Sequence, residues 1–352
     1  MTEQTQIFDV DKECNDVTTV TSELDTQVQV FAGLTSAKVE EMSSTGRDAD
    51  TSRRLKAVIQ RLRHLGPWRP IRRPVPDWQE RLIRLESEFS NFADVISGIV
   101  RPHLFLLSSG HLHRMAPIAL IGPPGVGKTQ FAHELQSIFA VPTIFLMMAG
   151  ETNNSALAGS STFWSNSAPG RLFEAVAWGS ADYAGGAVAN PLVIVDEVDK
   201  AGEGTYNPLA ALYTLLEQET AARFEDQSVP GLLCDMRYVS FILTANDEHA
   251  IPGPLRSRVS EFWIDVPDPD QARRIATGIF ATLRQKFNLA LEADLSEDVL
   301  DEASGLSPRE CRIRLEASMA IAAAVGQTTL DLAAWRKSAP RTGKAKTKLG
   351  FI

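Results

Sequence analysis

The sequence predicts an α/β protein in which a parallel sheet, covered by helices on both faces, is followed by a small all-helical domain. Three observations point there. Short, largely apolar runs (IALI from Ile118, PTIFLMM from Pro142, LVIV from Leu192, YVSFILT from Tyr238) alternate with segments of helical periodicity, the pattern of strands buried on both faces. The first run leads through a glycine loop straight into a helix. The third ends in a block of acids, which places carboxylates at the carboxyl edge of a buried parallel strand, where ligands sit in open α/β sheets.

At 352 residues the chain has room for about two domains plus tails, and its 44% hydrophobic content is ordinary for a globular protein. A net charge of −9 argues against non-specific nucleic-acid binding by the whole protein but leaves local basic patches open. Cys14, Cys234 and Cys311 are widely spaced and odd in number, which suits reduced thiols and offers neither a disulfide framework nor a metal site. No apolar run reaches membrane-spanning length, and the N-terminus carries acids where a secretory signal would carry bases. The expectation is a cytoplasmic protein with no membrane partner.

Residues 1–50, rich in Thr, Ser, Gln and acids, are expected to be an acidic disordered segment, although Thr26–Phe31 alternates like a short strand. Residues 51–76 form a basic helix and a proline-rich linker. In the helix, Leu55, Val58, Ile59, Leu62 and Leu65 share one face and Arg53, Arg54, Lys56, Arg61 and Arg63 the other. Such a helix packs on a neighbouring domain or subunit, or meets nucleic acid, a membrane surface or an acidic partner. Gly66–Pro76 holds too many prolines for a helix or central strand and reads as a semi-rigid boundary. The α/β core then occupies 77–267, with leading helices from Asp77 to about Ser108. A helical domain takes 268–336 and a basic tail 337–352. A small-residue insertion at 180–190 reads as a mobile surface loop, and Pro208–Thr220 as one amphipathic helix.

The loop Gly122, Pro123, Pro124, Gly125, Val126, Gly127, Lys128, Thr129 carries the chemistry. An anion needs close backbone approach and several N–H donors aimed at one point, and glycines permit that loop. Lys128 would place its ammonium on terminal phosphates and Thr129 would ligate Mg2+, while the helix that starts there presents its positive dipole end. With a phosphate loop elsewhere in the chain, Asp196 can hold Mg2+ and Glu197 can orient or deprotonate an attacking water. Asn246, at the end of the next strand, either hydrogen-bonds the γ-phosphate and that water or caps a local turn with Asp247. Ile251–Arg258 is a turn with two arginines, Arg256 and Arg258, either of which is available to complete a neighbouring subunit's site.

In the helical domain, Ser307 to Glu310 form a capping box with proline at the first helical position. Arg309 lies there against the helix dipole, so it either meets a compensating anion such as phosphate or is merely exposed. These residues together resemble the AAA+ ATPases, and within them the ATPase module of Lon proteases, from about Ala116 to Ala317. GPPGVGKT is similar to Walker A, LVIVDEVDK to Walker B and LTAND to the sensor 1 segment. IPGPLRSR resembles the Lon stretch with the arginine finger and SPRECR the lid segment with the sensor 2 arginine. The resemblance implies a P-loop AAA+ fold with a helical lid, ATP and Mg2+ as cofactors, Arg258 as the finger acting in trans and Arg309 as sensor 2. It also implies a homo-oligomer, expected to be a hexamer, that remodels or threads a protein substrate.

An aromatic residue before a Pro-Gly pair forms the substrate-gripping pore loop in Lon, and Trp164, ahead of Pro169 and Gly170, falls at the matching place. Ser165, Asn166 and Ser167 follow where Lon has a glycine step. Lon continues into a Ser-Lys protease domain for which no room or motif is found here, so peptide cleavage is not expected. Two other functions stay open: a nucleic-acid-associated ATPase using the basic helix and tail, and a nucleotide-gated scaffold.

Overall fold

A computed structural model of the chain describes residues 20–21, 26–32, 34, 49–164, 166–202 and 207–339. Cys14, most of the expected acidic segment and nearly all of the basic tail lie outside the described residues. The chain divides into two compact units. The larger holds 1–82, 94–123 and 128–264, and the smaller 83–93, 124–127 and 265–352.

The larger unit is built on five parallel strands, β4 Ile118–Ile121, β5 Thr143–Met147, β6 Leu192–Asp196, β9 Ser240–Ala245 and β10 Ser260–Trp263, in the order β10-β4-β9-β6-β5, with β7 Phe224–Glu225 and β8 Leu233–Cys234 forming a separate antiparallel pair. Every residue of the three inner strands is buried, as continuous apolar runs require in a sheet covered on both sides. The edge strands β5 and β10 are only partly buried. Register aligns the functional ends. Ile121 pairs with Ala245 and Val195 with Leu243, so Gly122, Asp196, Thr244 and Asn246 emerge at one carboxyl edge.

Before the sheet lies an element that the sequence only hinted at. Strands β1 Val20–Thr21, β2 Thr26–Gln29 and β3 Trp68–Ile71 form a three-stranded antiparallel sheet in that order. Trp68–Ile71 is therefore a strand and not a linker. Pro70 is tolerated because β3 is an edge strand, where a missing N–H breaks no second ladder. Helix α1, Ala49–Leu65, buries Leu55, Ile59 and Leu62 in the core of this unit and leaves Arg53, Arg54, Lys56, Arg61 and Arg63 exposed. Phe31 meets the Phe173 ring edge-on at 5.8 Å.

Arg69 locks this element in place. Buried at 3% exposure, its guanidinium donates to the carbonyls of Val176 (2.7 Å), Ala177 (2.6 Å), Gly66 (2.8 Å) and Trp68 (2.6 Å). The first two carbonyls close a helix, Arg171–Ala177, whose negative dipole end suits a cation. Burial pulls the guanidinium down to about 10, and it stays charged at neutral pH.

Two further expectations are corrected. The 180–190 insertion is tied down: Val188, Ala189 and Asn190 are buried, Asn190 exchanges hydrogen bonds with the Arg72 backbone at 2.8 and 2.9 Å, and Tyr183 donates to the Ala140 carbonyl. Pro208–Thr220 is not one helix but two short ones, Ala210–Leu215 and Gln218–Ala221, parted where Glu217 turns extended (φ −91, ψ 137).

A helix at Arg101–Ser108 brings His103 into the same unit, 2% exposed, its Nδ1 2.9 Å from Nδ1 of His113 and its ring 5.5 Å from Phe139. Burial, reinforced by His113, pulls His103 down to about 3 from its ordinary 6.5. The unfolded chain therefore takes up a proton between these values that the folded chain refuses. The stability this provides is complete above pH 6.5 and is lost progressively as pH falls towards 3, by about 1.4 kcal/mol per unit. Thermal melts from pH 7.5 to 4.5 should fall accordingly, and the slope should flatten in His103→Phe.

The smaller unit packs Pro269–Phe287, Glu297–Ser304, Pro308–Ala324 and Leu332–Lys337 around Phe280, Leu283, Leu315, Met319 and Trp335. Capping boxes start the first and third of these helices, Asp268 with Gln271 and Ser307 with Glu310. Residues 83–93 and 124–127, which the sequence places with the sheet, belong here: the Asn91 amide donates to the carbonyls of Val126 (3.4 Å) and Asp265 (3.2 Å), and Thr282 Oγ1 donates to Glu88 at 2.6 Å. Among the described residues no helix is long and apolar enough to cross a membrane.

Candidate functional site

Strand β4 ends at Ile121 and the helix Lys128–Phe139 begins after the glycine loop, so the loop residues turn at the carboxyl edge of the sheet. Gly122 has no room for a side chain, because a Cβ there would lie 2.2 Å from the Ile264 carbonyl oxygen. Gly125 (φ 87) and Gly127 (φ 104) take left-handed backbone that other residues avoid. The loop is thus built from glycine where shape demands it.

Lys128 is 6% exposed and folds back along the loop. Its ammonium donates to the carbonyls of Gly122 (2.7 Å) and Pro123 (2.9 Å) and to Asn246 Oδ1 (3.0 Å). All three of its protons are used, on oxygens that an arriving phosphate would replace. Burial pulls the ammonium down from its ordinary range, opposed by the carboxylates of Asp199, Asp196 and Glu197.

A chain of hydrogen bonds joins the strand ends. Thr129 Oγ1 (2.8 Å) and Thr244 Oγ1 (2.5 Å) both donate to Asp196 Oδ1, and the Glu197 N–H donates to Thr244 Oγ1 at 3.0 Å. Glu197 itself stands in the left-handed region (φ 55, ψ 51), a conformation costing about 1–3 kcal/mol for a residue with a side chain. Thr244 is a member of this set that the sequence pattern did not single out. Its signal was its register one strand away from Asp196. Thr129 and Asp196 offer a hydroxyl and a carboxylate within hydrogen-bonding distance, hard oxygen donors that fit Mg2+, which binds through one or two carboxylates plus substrate phosphates. No group of three or more His, Cys, Asp or Glu side chains among the described residues is arranged to hold a metal.

Arg256 and Arg258, on the turn after Asn246, have different surroundings. Arg256 grips Glu261 with two bonds, Nε at 2.6 Å and a terminal nitrogen at 2.8 Å, and reaches Glu248 at 3.3 Å. Arg258 pairs at 2.8 Å with Glu217, which is 46% exposed, and donates to the Pro254 carbonyl. Its own side chain is 23% exposed. Arg256 joins the turn after Asn246 to β10 through two carboxylates, whereas Arg258 meets one.

Phe163 and Trp164 are 72% and 54% exposed, their rings 6.2 Å apart. The base of their loop is closed by Ser160 and Ala168, N–H to carbonyl at 3.0 Å, and by Ser167 Oγ on the Ser160 carbonyl at 2.7 Å. Asp226, fully buried, accepts from the N–H of Gly170 at 2.9 Å and from the N–H and hydroxyl of Ser228. Burial pushes its carboxyl up while these bonds pull it back down. Sequence pattern missed this anchor because Gly170, the backbone it ties down, lies 56 positions away along the chain. In the smaller unit, Arg309 is exposed in the first turn of its helix, and Ser307, the cap of that helix, lies 3.7 Å from a Cβ built on Gly125 of the loop.

A glycine loop at a sheet edge, a buried lysine on it and acids on the next strand but one define a P-loop nucleotide-binding domain of the ATPase kind. Residues 118–266 match the model of the ATPase family associated with various cellular activities (AAA). The chain carries an AAA domain, and that domain is Lon-like. The chain is 28% identical over 211 residues to a Lon protease of Paraburkholderia phytofirmans, covering 59% of this chain and 23% of the relative. It is 31% identical over 210 residues to one of Salinispora arenicola, covering 58% and 26%. A mitochondrial Lon protease homolog of Caenorhabditis elegans is 32% identical over 197 residues, covering 55% and 20%. The chain thus spans about a quarter of the length of the curated relatives it matches. Among solved structures, the Thermotoga maritima RuvB Holliday junction branch migration motor aligns with a TM-score of 0.45 at 12% identity, covering 70% of this chain and 67% of that one.

Proposed function

We propose that this protein is a Mg2+-dependent ATP hydrolase of the cytoplasm that works as a homo-oligomeric ring, a hexamer, and uses turnover to remodel a protein substrate. The observation that carries it is the chain Thr129–Asp196–Thr244–Glu197, which ties the loop helix to two strand ends and holds Glu197 in its strained conformation. Bound Mg2+ neutralises charge on the phosphates. Lys128 exchanges loop carbonyls for phosphate oxygens, Asp196 and Thr129 hold the metal, and Asn246, released by Lys128, is free to orient water. Glu197 accepts the proton of that water. Arg258 leaves Glu217 to complete a neighbouring subunit's site and Arg309 acts within its own, as in the AAA+ pattern the sequence resembles.

Remodelling is supported by the exposed Phe163–Trp164 pair on a loop with a buried anchor. Release of phosphate from MgATP by the purified chain tests the chemistry, and no release at any protein concentration overturns it. For the coupling, Trp164→Ala should keep ATP hydrolysis within about twofold while substrate remodelling falls about tenfold or more, as for loss of an interface anchor. Remodelling that survives this substitution removes the pore role.

A further inference from the structure

Residues of α1 and of the aromatic loop, both in the larger unit, line a cleft of about 300 Å3 that the proposed hydrolysis does not use. Leu55 and Val58 of α1 and Pro169 of the loop give it an apolar lining, and Thr51, Arg54 and Thr162 add polar groups. Thr162 immediately precedes the exposed Phe163 and Trp164, so the cleft begins one residue from their rings. Its size is at the low end of ligand sites, enough for a side chain or two. The loop side is held by bonds already made. Gly170 donates its N–H to Asp226 at 2.9 Å, and a Cβ on it would lie 2.4 Å from the Leu157 carbonyl oxygen.

Two serines of the lining have no proton left for a ligand. Ser167 gives its hydroxyl proton to the Ser160 carbonyl at 2.7 Å, and Ser228 gives its own to Asp226 at 2.6 Å. Arg54 is different. It is exposed, and a terminal nitrogen of its guanidinium donates to the Ser167 carbonyl at 3.5 Å, the outer limit of a hydrogen bond. A guanidinium fork meets the two oxygens of a carboxylate far better than one distant carbonyl. No acid lines the cleft. Asp226, two residues before Ser228, is fully buried, and its carboxylate is answered by the Gly170 N–H and by the N–H and hydroxyl of Ser228. One cation beside an apolar lining suits one acidic side chain and its methylenes. A nucleic-acid backbone takes a track of cations along several phosphates.

We propose that this cleft is a recognition subsite for the polypeptide that Phe163 and Trp164 hold, taking a Glu or Asp side chain whose carboxylate pairs with Arg54. It rests on the protein-remodelling function proposed above and names the substrate class, a chain with acidic residues among apolar ones. Two fluorescein-labelled unstructured peptides test it, one with Glu and Leu spaced by Gly and Ser, the other its twin with Gln for every Glu. Fluorescence anisotropy reads their binding to the full chain, with MgATP and without nucleotide. The Glu peptide should bind about fivefold or more tighter than its twin, the gain from a partly exposed charge-assisted pair. Arg54→Gln should abolish that preference while keeping the affinity for the Gln twin, and Arg54→Lys, which keeps the charge without the fork, should restore part of it. Equal binding of the two peptides by the wild type overturns the subsite, as does a Glu preference that survives Arg54→Gln or binding of neither peptide. Labelled single-stranded DNA that binds and is released in Arg54→Gln, with no preference between the peptides, overturns it in favour of nucleic acid. Failure of the earlier reading looks different. Trp164→Ala with unchanged affinity for both peptides removes the aromatic grip, and absence of phosphate release removes the hydrolase, while neither alters the Glu preference measured without nucleotide.

Discussion

Glu197→Gln is expected to bind MgATP at close to wild-type affinity and to release phosphate about 100-fold more slowly or worse. The amide keeps the size of the side chain and leaves the backbone N–H on Thr244, so the left-handed turn and the bonds to Asp196 survive. What it loses is the capacity to accept a proton from water. Equilibrium binding of a labelled nucleotide beside a phosphate-release assay measures both sides, and wild-type turnover in this variant would exclude Glu197 as the base. The same variant, loaded with ATP, should hold its substrate and so identify it in a pull-down. Copurifying nucleic acid in place of protein would redirect attention to the exposed basic face of Ala49–Leu65.

Arg258→Ala is expected to lower turnover by about a thousandfold or more with nucleotide binding intact, the effect of removing an arginine finger. Stability should hardly change, since the pair with Glu217 is partly exposed and such pairs contribute about 1 kcal/mol or less. Action in trans makes a sharper demand. Mixed in equal amounts, Arg258→Ala and Glu197→Gln should recover activity, because a subunit with an intact Glu197 can meet a neighbour with an intact Arg258. Mixtures no more active than the sum of the two variants would place Arg258 in its own subunit's site or outside any site. Arg256→Ala should behave differently: it breaks the grip on Glu261 and Glu248 and so should cost stability as well as turnover.

Much of the core was legible because its chemistry is local. IALIGPPGVGKT encodes strand, loop and helix within a few consecutive residues, and LVIVDEVDK encodes a buried strand and the acids at its end. The capping box at Ser307 to Glu310 is likewise a matter of one helical turn. Failures fell where pairing is distant. Trp68–Ile71 looked like a linker because its prolines were visible and its partner, Thr26–Gln29, was not. The 180–190 insertion looked free because its anchors, Arg72 and Ala140, lie far along the chain.

Sequence by itself determined the phosphate loop, the acid pair, the strand order of chemistry and the family resemblance, since each is a pattern of residue types at short spacing. Tertiary structure alone decided which of Arg256 and Arg258 is held by two carboxylates and that Asp226 anchors the base of the aromatic loop. Burial and hydrogen-bond satisfaction depend on what the rest of the chain brings to a side chain, and residues a hundred positions apart leave no mark on each other's local pattern.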